Sequence, residues 1–311
     1  MYVTLEPCNH WGKTGPCAEA LIKAGVGRVV VGVGDPNPRN RKSGGDLLRE
    51  SGIEYQVGVR GRECEKLVEG FLWKIKYGRP FGVWKYAMTL DGKIATEGGS
   101  SKWISGEGSR GWVQQLRRGV DAIIVGGETV RRDNPRLTVR EGRRNIEGED
   151  RGLEPMRVVM TRNVELLDTS LRMFDKDSVA EIQTIILTTP VGNGSNCSRL
   201  SQAAQTIAAL QDQGVVVEQV LDLSPKAAMA YLSSRGALNV LWECGGNLAA
   251  SALADGCIQK VHAFISPKLV GGCGPVPLAK PPLAMDMKDA WNLRDTEVQT
   301  FGTDILLSGY V

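Results

Sequence analysis

From residue 81 to the C-terminus one pattern recurs: a short run of branched apolar residues, closed by glycine or a polar turn, precedes a helical segment. "FGVWKYAMTLDGKIA" (81–95), "VDAIIVGGETV" (120–130), "MRVVMT" (156–161), "IQTIILTT" (182–189), "VVVEQVLDL" (215–223), "LNVLWECGG" (238–246) and "KVHAFISPKLV" (260–270) read as strands. "SRGWVQQLRRG", "SRLSQAAQTIAALQDQG" and "SPKAAMAYLSSRG" read as helices, each stopped by glycine, and Ser224 is an N-cap for the third. Strands and helices in alternation leave few ways to bury both, and the pattern predicts an α/β domain with a central, mostly parallel sheet. The last strand, "TDILLSGYV", is expected at an antiparallel edge.

The first residues show the same alternation on a smaller scale, with a helix over "PCAEALIKAG", strands over "RVVVGVGD" and "IEYQVGV", and a helix over "GGDLLRESG". "ECEKLVEGFLWKIKYGRP" (63–80) predicts one helix with Leu67, Phe71 and Ile75, or Val68, Leu72 and Ile75, on a common face, stopped by Gly78 and Pro80. A helix end followed by Gly-Arg-Pro marks a domain boundary, giving domains over 1–79 and 80–311.

Composition narrows the class. With 311 residues, 42% apolar and 23% charged, the chain can bury two cores and is not a disordered protein. A net charge of +3, with basic and acidic residues interspersed, excludes a nucleic-acid-coating surface. The densest basic stretch, Arg131 to Arg144, reads as a solvated loop or as a local site for a phosphorylated small molecule. No apolar run approaches the roughly 20 residues of a membrane span, and no membrane partner is expected. Seven irregularly spaced cysteines argue against a secreted disulfide framework.

Cys8, just before a predicted helix, and Cys17, which opens that helix, are a special pair, because unpaired N–H groups at a helix start favour thiolates and a bound Zn²⁺. Two ligands do not complete a site. Zinc deaminases add a third protein ligand, usually His, in a His-x-Glu pair well upstream, and no His precedes Cys8. Glu6 and His10 are too near Cys8 in sequence to take that part, so the pair fits a metal site or two ordinary cysteines.

Several separate motifs, in one order along nearly the whole chain, carry a resemblance. "YVTLEPCNHWGKTGPCAEALIKAGVGRVVVGVGDPNP" (2–38) resembles the deaminase domain of the bifunctional riboflavin-biosynthesis deaminase/reductase family. "KYAMTLDGKIA", "SKWIS", "GGETVRRDNPRLTVR" and "LWECGGNLAASAL" resemble its reductase domain. The resemblance implies a truncated cytidine-deaminase-like α/β/α domain followed by a dihydrofolate-reductase-like α/β domain. It also implies that Cys8 and Cys17 match two zinc ligands, while the His and Glu partners belong to a segment absent here. Gly15 stands where the family commonly has Pro. The deaminase half is therefore expected to be inactive, and zinc binding to be incomplete.

The implied reaction is NADPH-dependent reduction of the ribosyl chain of 5-amino-6-(5-phosphoribosylamino)uracil to a ribityl chain. A strand ending in Gly245-Gly246 and turning into a helix at Asn247 can bring backbone close to a pyrophosphate, although the full dinucleotide fingerprint is missing. By resemblance Ala87, Trp103, Thr129, Asp133 and the run Gly245, Gly246, Asn247, Leu248, Ala249, Ala250, Ser251 contact the cofactor. Ser101, Arg117, Leu137, Arg140 and Glu243 match substrate positions, with the two arginines suited to gripping phosphate. Lys93, Asp133 and Glu243 are the candidate catalytic residues, and Glu243 is conspicuous as a carboxylate closing an apolar strand. Arg162, after another strand, is a candidate for the 2′-phosphate of NADPH. Two other readings stand beside this one: a zinc deaminase if the His-x-Glu segment is restored, or a non-catalytic N-terminal interaction module. A homo-oligomer is expected by family analogy, as is a plastid location for a plant or algal source and a cytoplasmic one otherwise.

Overall fold

The computed structural model describes residues 1–12, 14–40, 44–139, 154–190, 197–280 and 284–311. The chain divides into two compact units, Met1–Phe81 and Gly82–Val311. No helix among the described residues is long and apolar enough to cross a membrane.

Unit 1 contains β1 (Tyr2–Leu5), α1 (Cys17–Lys23), β2 (Arg28–Val33), α2 (Gly44–Glu50), β3 (Glu54–Val57), α3 (Gly61–Leu67) and α4 (Glu69–Tyr77). Its three strands form a parallel sheet in the order β1-β2-β3. Ala18, Val29, Val31, Leu48 and Ile53 make its core. The single helix expected over 63–80 is instead two: Val68 leaves helical geometry at φ −117° and ψ 17°, and Leu67 faces solvent. A β-branched residue resists helical packing more than its neighbours, and the apolar face resumes only after the break.

Unit 2 is built on one nine-stranded sheet. Its elements are β4 (Phe81–Thr89), α5 (Glu107–Arg118), β5 (Ala122–Gly126), α6 (Gly127–Asp133), β6 (Met156–Thr161), α7 (Lys176–Glu181), β7 (Thr184–Thr188), α8 (Cys197–Asp212), β8 (Val216–Gln219), α9 (Pro225–Ser234), β9 (Asn239–Trp242), α10 (Gly246–Ala254), β10 (Lys260–Ser266), β11 (Arg294–Phe301) and β12 (Asp304–Tyr310). The strand order is β11-β12-β10-β4-β9-β5-β6-β7-β8. The pairs β4–β10, β5–β9, β5–β6, β6–β7 and β7–β8 are parallel, while β10–β12 and β11–β12 are antiparallel. The expected parallel sheet with an antiparallel C-terminal edge is therefore present. Strand β11 was not legible, because its residues are mostly polar and nearly all exposed.

The inner strands read as continuous apolar runs because both faces are covered, and Ile124, Val158, Ile185 and Trp242 are fully buried. The segment "GGETV", taken with the preceding strand in sequence, is the turn into α6. Gly127 is required there, since a Cβ would stand 2.7 Å from Thr161 Oγ1 at the end of β6. Helix α5 is capped from a distance: Asp304 Oδ2 on β12 accepts from Gly106 N at 2.6 Å and from Ser109 Oγ at 2.5 Å.

Candidate active site

A cavity of about 490 Å³ opens where β5 and β9 end and α6 and α10 begin. Ligands in open parallel sheets bind beyond the carboxyl ends of strands. One wall carries Gly126, Glu128, Thr129, Arg132 and Asp133, and another Gly245, Gly246, Asn247 and Leu248. The loop after β4 adds Ile94, Ala95, Gly99 and Ser101, and residues 273–276 with Ala279 close the remaining side.

The "TLDGK" motif holds two of these walls together. Thr89 N donates to Lys93 O at 2.9 Å, Lys93 N donates to Thr89 Oγ1 at 3.0 Å, and Asp91 accepts from Thr89 Oγ1 at 2.6 Å and Gly271 N at 2.8 Å. Ile94 N then donates to Pro275 O at 2.9 Å. These hydrogen bonds hold the Asp91 carboxyl below its usual range, the Thr89 hydroxyl contributing most.

Helix α10 begins without a side-chain cap, and its first residues line the cavity. Their N–H groups lack intrahelical acceptors and suit a phosphate. A Cβ on Gly245 would meet nothing within 4 Å, whereas one on Gly246 would stand 2.4 Å from Val276 O. Gly245 thus leaves the cavity open, and Gly246 admits the neighbouring backbone.

A group of charges is buried at the end of β9. Arg117 on α5 grips Glu243 with two bonds, Nε to Oε1 at 2.7 Å and Nη2 to Oε2 at 2.9 Å, and its Nη1 donates to Thr138 O at 3.2 Å. The two side chains are only 10% and 12% exposed, so each depends on the other for its charge. Burial alone would raise the Glu243 pKa, but the Arg117 charge and hydrogen bonds, then Lys85, carry it below the usual carboxylate range. Burial works against the Arg117 charge, and Glu243 overcomes it and holds the guanidinium above its ordinary value. For Lys85 on β4 desolvation wins over the attraction of Glu243, and its ammonium is held below the ordinary lysine range. Cys244 beside them is pushed upward by burial and by the Glu243 charge.

The expected residues divide accordingly. Ser101, Thr129, Asp133, Gly245, Gly246, Asn247 and Leu248 line the cavity, and Ser101 Oγ donates to Asp133 Oδ1 at 3.1 Å. Arg117 and Glu243 meet each other instead, so the guanidinium fork expected to grip substrate phosphate holds a carboxylate. Leu137 is buried in a left-handed backbone conformation, φ 52°. Ala249 and Ala250 are fully buried in α10, and Ser251 Oγ donates to Asn247 O at 3.1 Å. Ala87 packs with Val113 and Phe264, and Trp103 lies exposed beneath the Arg110 guanidinium, 4.6 Å from its ring centre. Lys93 is partly buried and serves the loop through its backbone, and Arg162 is exposed after β6. Arg140 lies outside the described residues.

Sequence reasoning did not single out Lys85, and it met Arg132 only within the basic stretch 131–144 read as a solvated loop or a phosphate site. A lysine inside "FGVWKYAMT" is as unfavourably placed in an apolar strand as the carboxylate at 243. Arg132 lines the cavity and pairs with Glu128, Nη2 to Oε1 at 2.7 Å.

In unit 1, the backbone N of Cys17 lies 3.5 Å from Cys8 Sγ, so the two cysteines are neighbours. Among the described residues no set of three or more His, Cys, Asp or Glu side chains could hold a metal ion. Glu6 is engaged otherwise, accepting from Asp35 N at 3.0 Å and Gly45 N at 2.9 Å. The described residues do not make a zinc site by themselves.

Comparison with known proteins matches this geometry. The RibD C-terminal domain matches residues 80–307. The riboflavin biosynthesis protein RibD of Synechocystis is 44% identical over all of this chain, which spans 78% of that protein. The chloroplastic riboflavin biosynthesis protein PYRR of Arabidopsis thaliana is 40% identical, and this chain spans 50% of it. The crystal structure of a diaminohydroxyphosphoribosylaminopyrimidine deaminase/5-amino-6-(5-phosphoribosylamino)uracil reductase from Thermotoga maritima superposes with a TM-score of 0.78 at 30% identity, covering 99% of this chain and 78% of that one. By the match of its larger unit and by its likeness to these relatives along its whole length, the chain belongs to the RibD family of riboflavin biosynthesis.

Proposed function

We propose that unit 2 reduces the ribosyl side chain of 5-amino-6-(5-phosphoribosylamino)uracil to the ribityl chain, using NADPH. The observation that carries the reading is the cavity at the ends of β5 and β9, where an uncapped helix start faces Asp133 and Ser101. Membership of the RibD family supplies the reaction class. NADPH supplies the hydride when bound. The residues of the chain bind, orient and move protons around it.

The open N–H groups of Gly246, Asn247 and Leu248 fit cofactor phosphates, and Arg132 is a cation at the same cavity. Thr129, Ser101 and Asp133 supply hydroxyl and carboxylate groups for the sugar. Glu243, fixed by Arg117, is the substrate-facing carboxylate in this reading, as the family resemblance implies, and Lys85, whose charge Glu243 feels, is the candidate proton source. Lys93 is then a loop former, and Arg140 keeps its proposed part in holding phosphate. Unit 1 is read as a deaminase-like domain whose described residues lack the ligands for zinc-assisted hydrolysis. Two relatives bear chloroplastic names, which supports a plastid location for a plant or algal source. Self-association belongs to the same reading, supported by the exposed outer strand β11, and size-exclusion chromatography tests it.

An NADPH-oxidation assay with the purified chain tests the function. Consumption that requires the pyrimidine and falls sharply in E243Q is expected. Unchanged turnover in E243Q removes Glu243 from the reaction.

A further inference from the structure

A second buried arginine in unit 2 does not line the cavity and takes no part in the reaction as read above. Arg157 on β6 is fully buried. Its Nε and Nη2 donate to Thr184 Oγ1 at 3.0 and 2.5 Å, and Nη2 also reaches Ser178 O at 3.1 Å and Ile182 O at 3.3 Å, where α7 ends. Nη1 donates to Ser178 Oγ at 2.7 Å and to Arg136 O at 3.2 Å. Every acceptor among the described residues is a neutral oxygen, and burial pushes the guanidinium down to about 10 against the attraction of Glu154. Arg136 O lies two residues from Thr138 O, which accepts from Arg117 Nη1 at 3.2 Å. Between the two carbonyls Leu137 is buried with φ 52°, a left-handed conformation that a leucine keeps only where its surroundings impose it. The segment is tied at both ends as well: Asn134 Oδ1 accepts from Arg172 N at 2.9 Å, and Val139 N donates to Glu154 Oε2 at 3.0 Å. Residues 136–138 thus form a short bridge from Arg157 to the guanidinium that holds Glu243.

We propose that Arg157 is a positioning residue for the reduction: through Arg136 O it fixes the 136–138 backbone, and that backbone fixes Arg117 so that Glu243 is presented to the pyrimidine. The inference rests on the function proposed above for Glu243 and adds a residue that touches neither substrate nor cofactor. The planar guanidinium fork is what the role needs, since one arm must stay on Thr184 and the end of α7 while the other reaches the loop. A lysine ammonium keeps the charge at the helix end but has no second arm. With lysine there, Arg136 O loses that donor, Leu137 is free to leave the left-handed region, and Arg117 shifts under Glu243. Substrate binding then suffers, while the start of α10, which shares none of these hydrogen bonds, does not.

Arg157→Lys tests the proposal in the NADPH-oxidation assay, beside amide hydrogen exchange over residues 134–139. KM for the pyrimidine is expected to rise about tenfold with KM for NADPH unchanged, and exchange in the 134–139 segment to quicken while α10 keeps its protection. Thr184→Val, a milder change that loosens the seat of the same guanidinium, should move the pyrimidine KM in the same direction by a smaller factor, and it decides the matter if R157K does not fold. A parental pyrimidine KM in the folded variants, whether or not their melting temperatures fall, makes Arg157 a structural residue and overturns the proposal. So does an equal rise in both KM values. An unsubstituted chain that never consumes NADPH with the pyrimidine removes the reductase reading itself, and unchanged exchange over 134–139 in R157K overturns the bracing even then.

Discussion

Buried charges in unit 2 meet opposite charges, Glu243 with Arg117 and Lys85, whereas the two thiols of unit 1 have chiefly each other. Both groups look functional in sequence. They differ in what surrounds them: the first borders a sheet whose strand ends enclose a cavity, and the second sits near a surface with no third ligand among the described residues. Residue type alone does not make a site; the partners that make its charge state affordable do.

The contrast breaks most readily at the buried charges. Lys85→Met and Glu243→Gln are each expected to lower kcat/KM by about a hundredfold or more in the NADPH-oxidation assay, with the folded fraction checked by circular dichroism. Glu243→Ala should also cost about 3–5 kcal/mol in denaturant unfolding, because Arg117 is left buried without its carboxylate. If these variants turn over normally, the charge group is only structural.

Acid should act on unit 2 in two stages. Burial pushes His262 down to about 4 from an ordinary 6.5, so the unfolded chain binds the extra proton between those values. Stability therefore falls as pH drops from 6.5 toward 4, by about 3 kcal/mol at most, and His262→Gln should flatten that slope. Glu243 has the depressed pKa of a paired carboxylate; its contribution is complete above the ordinary carboxylate range and is lost as pH falls through its lower folded value. Urea midpoints across pH separate the stages.

A smaller effect is expected from Asp304→Ala, which removes the distant cap of α5 and should cost about 1–2 kcal/mol. Because α5 carries Arg117, a modest rise in KM should accompany it. Replacing both Cys8 and Cys17 by Ser should leave reductase turnover unchanged, the outcome that separates the thiols from the cavity most cleanly.

Much of the fold was legible because parallel strands buried on both faces write themselves as unbroken apolar runs, as in β5 and β7. Strand β11 and the break at Val68 were not, since an exposed edge lacks that signature and one β-branched residue is a weak local signal. At the site, the run of glycines before α10 and the carboxylate at 243 could be found from chain position alone. That Arg117 turns to Glu243 instead of outward is a tertiary fact, because 126 residues separate them. Lys85 was visible in principle, and the rule applied to Glu243 would have caught it.

The most direct measurement of the central claim follows NADPH absorbance when the purified chain is given 5-amino-6-(5-phosphoribosylamino)uracil, with the undeaminated pyrimidine as the comparison. The account predicts oxidation with the deaminated compound and none with the other. Folded protein that neither binds NADPH nor consumes it with either pyrimidine would contradict it.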